Sequence, residues 1–428
     1  MNLQNALKMI ITSAICFTLF ACSNNQQETR KEKESASGSS SVKLIGKYQL
    51  ENPPVLAKGI HAGMGSSLVH LPGDPDHVFY SSSDRGPNGE LTVNKEERRT
   101  FPIPAYTPVV YRIEISEGKI NITDTIPLKL PKGSDPVTGK SLITGLPNVK
   151  GKDEIPYDAK GKRVLSYDPY GLDTEGLAYN PADETFWLSD EYGPSLVQMK
   201  KDGTLIQRFV PSGMETAFKN ASLLPVKGNL PAVLSKRADN RGFESAAITP
   251  DGRYLFTMTQ SALENPDDSS RITRLLKIDL KASKVIAEYT YRFEDGKKFG
   301  VDQEDIVASD LYAIDEHRLL VDERDTASGK EAKYKKIYQI DLQEATNVLD
   351  KDQAKGKTLE QMNTKDLKAE GIKTAAKKEV LDLLKFGYPY EKAEGITLVG
   401  KKLAVINDDD FGMADSNSKT ELWLFRLP

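Results

Sequence analysis

Glu175-Gly-Leu-Ala-Tyr179, a turn at Asn180-Pro-Ala-Asp183, Thr185-Phe-Trp-Leu-Ser-Asp-Glu191, Leu196-Val-Gln-Met199, a Lys201-Asp-Gly203 turn and Leu205-Ile-Gln-Arg-Phe209 read as four short strands in about 35 residues. Apolar runs of this length, rich in β-branched and aromatic residues and broken by Asn, Asp, Gly and Pro, are strands joined by turns. An acidic residue beside a small one opens the unit, and an acidic cluster ends its second strand.

The same grammar recurs outward from there. Glu244-Ser-Ala-Ala-Ile248 turns at Pro250-Asp-Gly252 and continues through Tyr254–Thr259, Arg274–Asp279 and Val285–Tyr289. Glu304-Asp-Ile-Val307 leads through Arg318-Leu-Leu-Val-Asp-Glu-Arg324 to Lys336–Asp341, and Glu394-Gly-Ile-Thr-Leu398 through Leu403-Ala-Val-Ile-Asn-Asp-Asp409 to Leu422–Phe425. An earlier window, Ser66-Ser-Leu-Val69 to Val78–Asp84 to Val109–Ile113, fits with serine in place of the opening glutamate. Four-stranded units that cannot bury their own faces, repeated at this scale, predict an all-β protein with a β-propeller fold. Five repeats are clear, and the chain around residues 115–170 has length for another, so six blades is the preferred count within a range of five to seven. Two stretches depart from the pattern. Residues 131–168 are rich in Gly, Pro, Lys and Asp, and residues 345–387 form a charged, partly helical insertion, with a helix expected near Lys378–Lys385 docking Val380, Leu381 and Leu384 on the rim.

The N-terminus carries Lys8, then an apolar run from Met9 to Ala21 too short for a permanent membrane span, ending in Leu19-Phe-Ala-Cys22. It reads as a lipoprotein signal peptide over residues 1–21, with lipidation at Cys22, a disordered tether over 22–41 and the propeller over 42–428. The expected location is the cell envelope, anchored by lipid to the cell membrane or the outer membrane and facing outside the cytoplasm. Cys16, the only other cysteine, lies in the leader, which excludes cysteine nucleophiles, disulfides and zinc–thiolate sites from the mature chain. The formal charge of −4 becomes −5 once Lys8 is removed, which gives no basic field for nucleic acid. The membrane is expected to be reached only through the lipid, and the protein to be a monomer.

Innermost propeller strands line the channel, so matching positions of successive blades form rings. On that logic Glu175, Glu244, Glu304 and Glu394 converge near one end, with Asp84, Asp190, Glu191, Asp322, Glu323, Asp408 and Asp409 close by. Ca²⁺, which takes about six to eight oxygen ligands, would relieve the repulsion. The metal set is then Glu175, Glu244, Glu304, Glu394 and Asp408; His61, His70, His77 and His317 are too scattered for zinc. The alternative is that each glutamate closes a turn or pairs with an arginine such as Arg241, Arg271 or Arg324. Arg85, Arg241 and Arg324 suit a clamp on phosphate, Asp190 or Glu191 would orient water, and Asp84 and Arg324 would contact substrate. No Gly-x-Ser-x-Gly elbow, Walker loop or dinucleotide fingerprint occurs.

Ser83-Asp-Arg-Gly-Pro-Asn-Gly-Glu90, Asp173-Thr-Glu-Gly-Leu-Ala-Tyr179 with Ser189-Asp-Glu-Tyr-Gly-Pro194, Asn240-Arg-Gly-Phe-Glu-Ser-Ala-Ala247 and Glu394-Gly-Ile-Thr-Leu398 together resemble the phytase-like family described by esterase-like activity, from about residue 55 to the C-terminus. The resemblance implies an exported propeller acting on phosphate esters, phytate among them, or on simple carboxylic esters. Three readings follow: a metal-assisted phosphatase or phytase, a carboxylesterase or lactonase on the same site, and a non-catalytic propeller that binds a ligand or a protein.

Overall fold

The computed structural model describes residues 41–267, 270–413 and 419–428. Its strands form five blades around one axis. The first has Val69 bridged to Tyr80 on its inner side, then Val78–Ser82, Val109–Ser116 and Lys119–Pro127. The second is Thr174–Asn180, Thr185–Asp190, Ser195–Lys200 and Leu205–Pro211, with Val226–Leu230 added at its edge. Phe243–Ile248, Tyr254–Thr259, Ile272–Asp279 and Lys284–Arg292 make the third, and Val307–Ala313, Arg318–Arg324, Lys335–Asp341 and Ala376–Asp382 the fourth. The fifth takes Ala393–Val399, Lys402–Asn407 and Glu421–Arg426 from the C-terminal end, then borrows Lys43–Gln49, antiparallel to Glu421–Arg426, as its outer strand. Closing the ring with a strand from the other end of the chain covers an edge that would otherwise be open.

Five hydrophobic cores, one between each pair of neighbouring blades, fix the count. Period-2 alternation serves two of them from one strand. In Thr185–Asp190, Phe186 and Leu188 enter the core shared with the first blade, while Trp187 enters that shared with the third. In Lys402–Asn407, Leu403 and Val405 face the fourth blade and Ala404 and Ile406 the first. Each such side chain contributes about 1.5–3 kcal/mol by burial, so neither neighbour is dispensable.

The preferred count of six is therefore corrected to five, inside the expected range. Lys119–Pro127 completes the first blade, and the chain after it makes only short bridges and the strand Pro156–Asp158, which pairs with Glu96–Phe101 beside the axis. The helix expected at Lys378–Lys385 is also corrected. Ala376–Asp382 is the outer strand of the fourth blade, paired Ile337 to Leu381 and Tyr338 to Glu379, and a single turn at Leu383–Phe386 follows it. Sheet pairing with an open blade edge outweighs the helical spacing of its three apolar residues. The α-helix of the insertion is Thr364–Ala369, opened by a capping box between Asn363 and Asp366. The insertion is tied to the third blade by fully buried Arg274, which reaches Glu288, Asp352 and Glu360 at 2.7, 2.8 and 2.7 Å.

Near the axis the inner strands approach at backbone distance. A Cβ on Gly176 would lie 2.4 Å from Ala246 N, and one on Gly395 2.6 Å from the Ser67 carbonyl carbon. Because backbone cannot retreat as a side chain can, Gly176→Ala is expected to cost about 1–3 kcal/mol, read as a lower thermal unfolding midpoint with the far-ultraviolet spectrum unchanged; an unchanged midpoint would contradict this packing.

Candidate functional site

Where the inner strands of the second to fifth blades begin, the ladder carries one extra residue. The register steps from Thr174–Asp190 to Leu177–Leu188, from Phe243–Thr259 to Ser245–Met258, from Ala308–Glu323 to Leu311–Val321, and from Ala393–Asn407 to Gly395–Ile406. A bulge of this kind re-aims a side chain. It gives Glu175, Glu244, Ser309 and Glu394 equivalent places beside the channel mouth. The residue after each of the paired Asp190, Thr259, Glu323 and Asn407 makes a second ring, of Glu191, Gln260, Arg324 and Asp408, and Asp84, two residues past Val78–Ser82, joins it from the first blade.

All of these but Ser309 and Asp408 border an axial cavity of about 390 Å³ whose described lining residues are all polar or charged, eight carboxylates against five cations. Glu175, Glu191, Glu244 and Glu394 are buried, and two groups of three carboxylates each have oxygens within 4.8 Å of one another. In the first, Asp173, Glu175 and Glu191, the Glu191 side chain is 3% exposed and its Oε1 has no hydrogen-bond partner. Burial, then the charges of Asp173 and Glu244, hold Glu175 well above the usual carboxylate range, and burial with Glu244 and Asp173 does the same to Glu191. In the second group, Asp84, Asp408 and Asp410, the chain supplies its own cation: Lys392 Nζ lies 2.7 Å from Asp410 and 3.9 Å from Asp408. Burial opposes ionisation of Asp410, yet Lys392 holds its pKa below the ordinary value, while burial, with Asp173, pushes Asp84 up to about 8. Burial and the nearby Glu394 likewise push Glu244 up to about 8.

The cations differ in what occupies them. Arg85 Nη1 is gripped by Glu154 at 2.6 Å, Asn240 at 2.7 Å and Asp173 at 3.1 Å. Arg324 donates to Glu394 Oε1 at 2.5 Å and to Ser309 Oγ at 2.8 Å, and Arg99 pairs with Glu90 and Glu154. Arg241 alone among the five makes no ion pair with a described carboxylate; it donates to Gln260 Oε1 at 2.6 Å.

The structure thus brings Glu175, Glu244, Glu394, Glu191, Asp84, Arg85, Arg241 and Arg324 to one cavity, with Asp408 just behind it. Two expected site residues are elsewhere. Glu304 is exposed on the turn Gln303–Asp305, ahead of its inner strand, and Ser309 holds the ring position instead. Asp190 is fully buried, its carboxylate saturated by Ser195 Oγ at 2.7 Å, the Asp173 amide at 3.0 Å, Asn148 Nδ2 at 3.2 Å and the Tyr192 amide at 3.3 Å, so it braces the strand end and is closed to water. Glu323 turns the other way from Arg324 by strand alternation and is taken by Tyr291, Tyr334 and Lys377 between blades. Asp173, Lys392 and Gln260 were missed. Asp173 and Lys392 each stand two residues before a ring glutamate, an offset legible once the bulge is known, and Gln260 stands in register with Glu191. Glu154, also missed, comes from the irregular 131–168 stretch and carries no local signal. Cys22 and the leader lie outside the described residues.

A five-bladed propeller with a wholly polar axial cavity of crowded carboxylates and one unpaired arginine defines the class. The chain belongs to the phytase-like family described by the esterase-like activity of phytase, whose model matches residues 60–411. An uncharacterized secreted protein of Arthroderma benhamiae is 25% identical over 314 residues, covering 64% of this chain; the chain spans 60% of that relative's length. Among solved structures, Kuenenia stuttgartiensis hydrazine synthase (11% identity, TM-score 0.32, 82% of this chain and 83% of that one) and a luciferin-regenerating enzyme (9%, 0.36, 90% and 94%) are similar. The family points to hydrolase-type chemistry in the broad sense.

The raised carboxyls make stability pH-dependent. Between their ordinary range and about pH 8 the folded chain holds protons that the unfolded chain has released, so folding binds protons and stability falls as pH rises. For chelator-treated protein the thermal midpoint should fall from about pH 5 to about pH 8, less steeply in Glu191→Gln. Equal slopes for the two proteins would remove Glu191 from the coupled group.

Proposed function

We propose that this protein hydrolyses phosphate esters with a divalent cation, Ca²⁺ by the chemistry of the donors, at the axial cavity. The observation that carries the reading is a buried set of oxygen donors, Asp173, Glu175 and Glu191, with an unpartnered Glu191 oxygen, lining or adjoining the same cavity as an arginine free of carboxylates. Hard oxygens alone, and no nitrogen or sulfur, suit Ca²⁺. When bound, the cation would polarise the phosphoryl group and offset charge that the carboxylates cannot. Arg241 holds the phosphate by charge-assisted hydrogen bonds, and Arg85, already gripped by Glu154 and Asp173, positions those carboxylates. Glu191 Oε1 accepts the hydrogen bond of the attacking water. The water oxygen bonds to phosphorus as the ester P–O bond breaks, a water proton passes to the carboxylate, and the released alcohol takes a proton in return. Compared with the set read from sequence, Asp173 replaces Glu304 as a ligand, and Glu244 and Glu394 border the site, the latter engaged by Arg324.

Matched phosphate and carboxylate chromogenic esters, with calcium and with chelator, test this. Calcium-dependent release from phosphate esters is expected, reduced about 10²-fold or more in Glu191→Gln and roughly 10- to 100-fold in kcat/KM in Arg241→Ala. Full activity after chelation overturns the metal role. Activity on carboxylic esters alone, indifferent to Arg241, would make the protein a carboxylesterase or lactonase, and silence on both classes from folded protein would make it a binding propeller.

We further propose export and lipid anchoring at Cys22. The leader sequence supports this, as does the description of the Arthroderma benhamiae relative as secreted. A clickable fatty-acid analogue fed to expressing bacteria should label the wild-type chain and not Cys22→Ala; equal labelling would refute the anchor.

A further inference from the structure

Arg241 borders two cavities. Besides the axial one, a second space of about 260 Å³ is lined by Arg241 together with Ser261, Ser270, Gln303, Glu304 and Asp305. The dividing ridge is built by the fold. Thr326, on the wall of the axial cavity, donates to Asp305 Oδ1 at 3.1 Å, and Gln303 is pinned by the Gly296 amide at 3.2 Å and the Glu294 carbonyl at 3.1 Å. A phosphate on Arg241 therefore lies next to both the carboxylate-lined cavity and this side cavity.

We propose that the side cavity is the subsite for the alcohol half of the ester, and that the substrate is a single-phosphate ester of a neutral, hydroxyl-rich alcohol, not a polyphosphate; this rests on the phosphate-ester reading above. Charge decides it. Among the described residues, the charged groups bordering the side cavity apart from Arg241 are Glu304 and Asp305, both acidic. In the axial cavity eight carboxylates face five cations, four of which are already paired. One phosphate finds one free arginine, whereas each further phosphate meets carboxylates without compensation. Hydroxyls instead find acceptors on Glu304 and Asp305 and exchangeable partners in Ser261 and Ser270. Ala262, Phe293 and Ile306 supply only a small apolar surface, which suits the carbon skeleton of a polyol better than an acyl chain.

The test compares glycerol 2-phosphate and glucose 6-phosphate with phytate, by kcat/KM and by calorimetric binding, in calcium-loaded protein and in Glu304→Lys. Glu304 is exposed, so the substitution leaves the core alone. The monophosphates should be preferred at least about tenfold, and Glu304→Lys should move the ratio toward phytate by about fivefold or more. Phytate turned over or bound as well as the monophosphates, or a ratio indifferent to Glu304→Lys, overturns the proposal while leaving phosphate-ester hydrolysis intact. Absence of turnover on all three defeats the hydrolase reading instead, and the calorimetric preference and its response to Glu304→Lys then decide the subsite separately.

Discussion

Five inner strands share one axis so tightly that their backbones touch, and most of what is distinctive in this protein follows from that constraint. Only small residues fit where strands meet, as Gly176 against Ala246 and Gly395 against Ser67 make plain. In the second to fifth blades the ladder relieves the crowding with a bulge near the tightest approach. The bulge takes one side chain out of the alternation that would send it between blades and gives it to the channel mouth. Three of the four residues so placed are glutamates, Glu175, Glu244 and Glu394. Packing geometry, acting on a repeated acidic position, therefore concentrates like charge at one point.

Charge concentrated in a buried place has to be neutralised, and the two sides of the mouth do this differently. On the fifth-blade side the chain provides its own cations, Arg324 to Glu394 and Lys392 to Asp410. Removing one partner of the buried Arg324–Glu394 pair costs about 3–5 kcal/mol because the other charge is stranded, whereas Lys392–Asp410, at 25% and 27% exposed, is partly screened by water. On the second-blade side, Asp173 is met by Arg85, but Glu175 and Glu191 have no described cation in ion-pair range, and burial keeps both well above their ordinary pKa. That imbalance distinguishes a site able to accept a foreign cation from one already satisfied.

The propeller and its ring logic were legible because alternation and turn residues repeat in the sequence, and because a repeated glutamate means something only in a radial fold. The blade count was not. The residues after Pro127 have the length of a blade without its strands, and length alone cannot tell a module from an excursion. Glu304 misled for a related reason: it opens a Glu-Asp-Ile-Val run much as Glu244 opens Glu-Ser-Ala-Ala, yet the bulge that defines the ring falls later, at Ser309. Asp190 and Glu191 are neighbours and looked interchangeable, but one residue of register decides that the first is saturated by backbone and side-chain donors and the second faces the cavity. Val380, Leu381 and Leu384 fit a helix locally, and only the unpaired edge of Lys335–Asp341, a tertiary fact, makes a strand of that segment.

The parts of the site are also supported differently. Glu175, Glu244 and Glu394 stand on inner strands braced on both sides, and Glu191 directly follows the second strand of its blade, whose terminal Asp190 is locked. Such positions hold their geometry before anything binds. Arg241, by contrast, belongs to the connection entering the third blade, where Asn240 sits at a φ of 53° and Arg85 reaches across to its side chain. Glu304, Asp305 and Thr326 likewise lie on connections between strands. The carboxylate ring is thus built into the sheets, and the side cavity next to Arg241 is built largely on connections, which tolerate change without cost to the five cores. This arrangement lets the side cavity vary while the carboxylate geometry that the fold imposes stays in place.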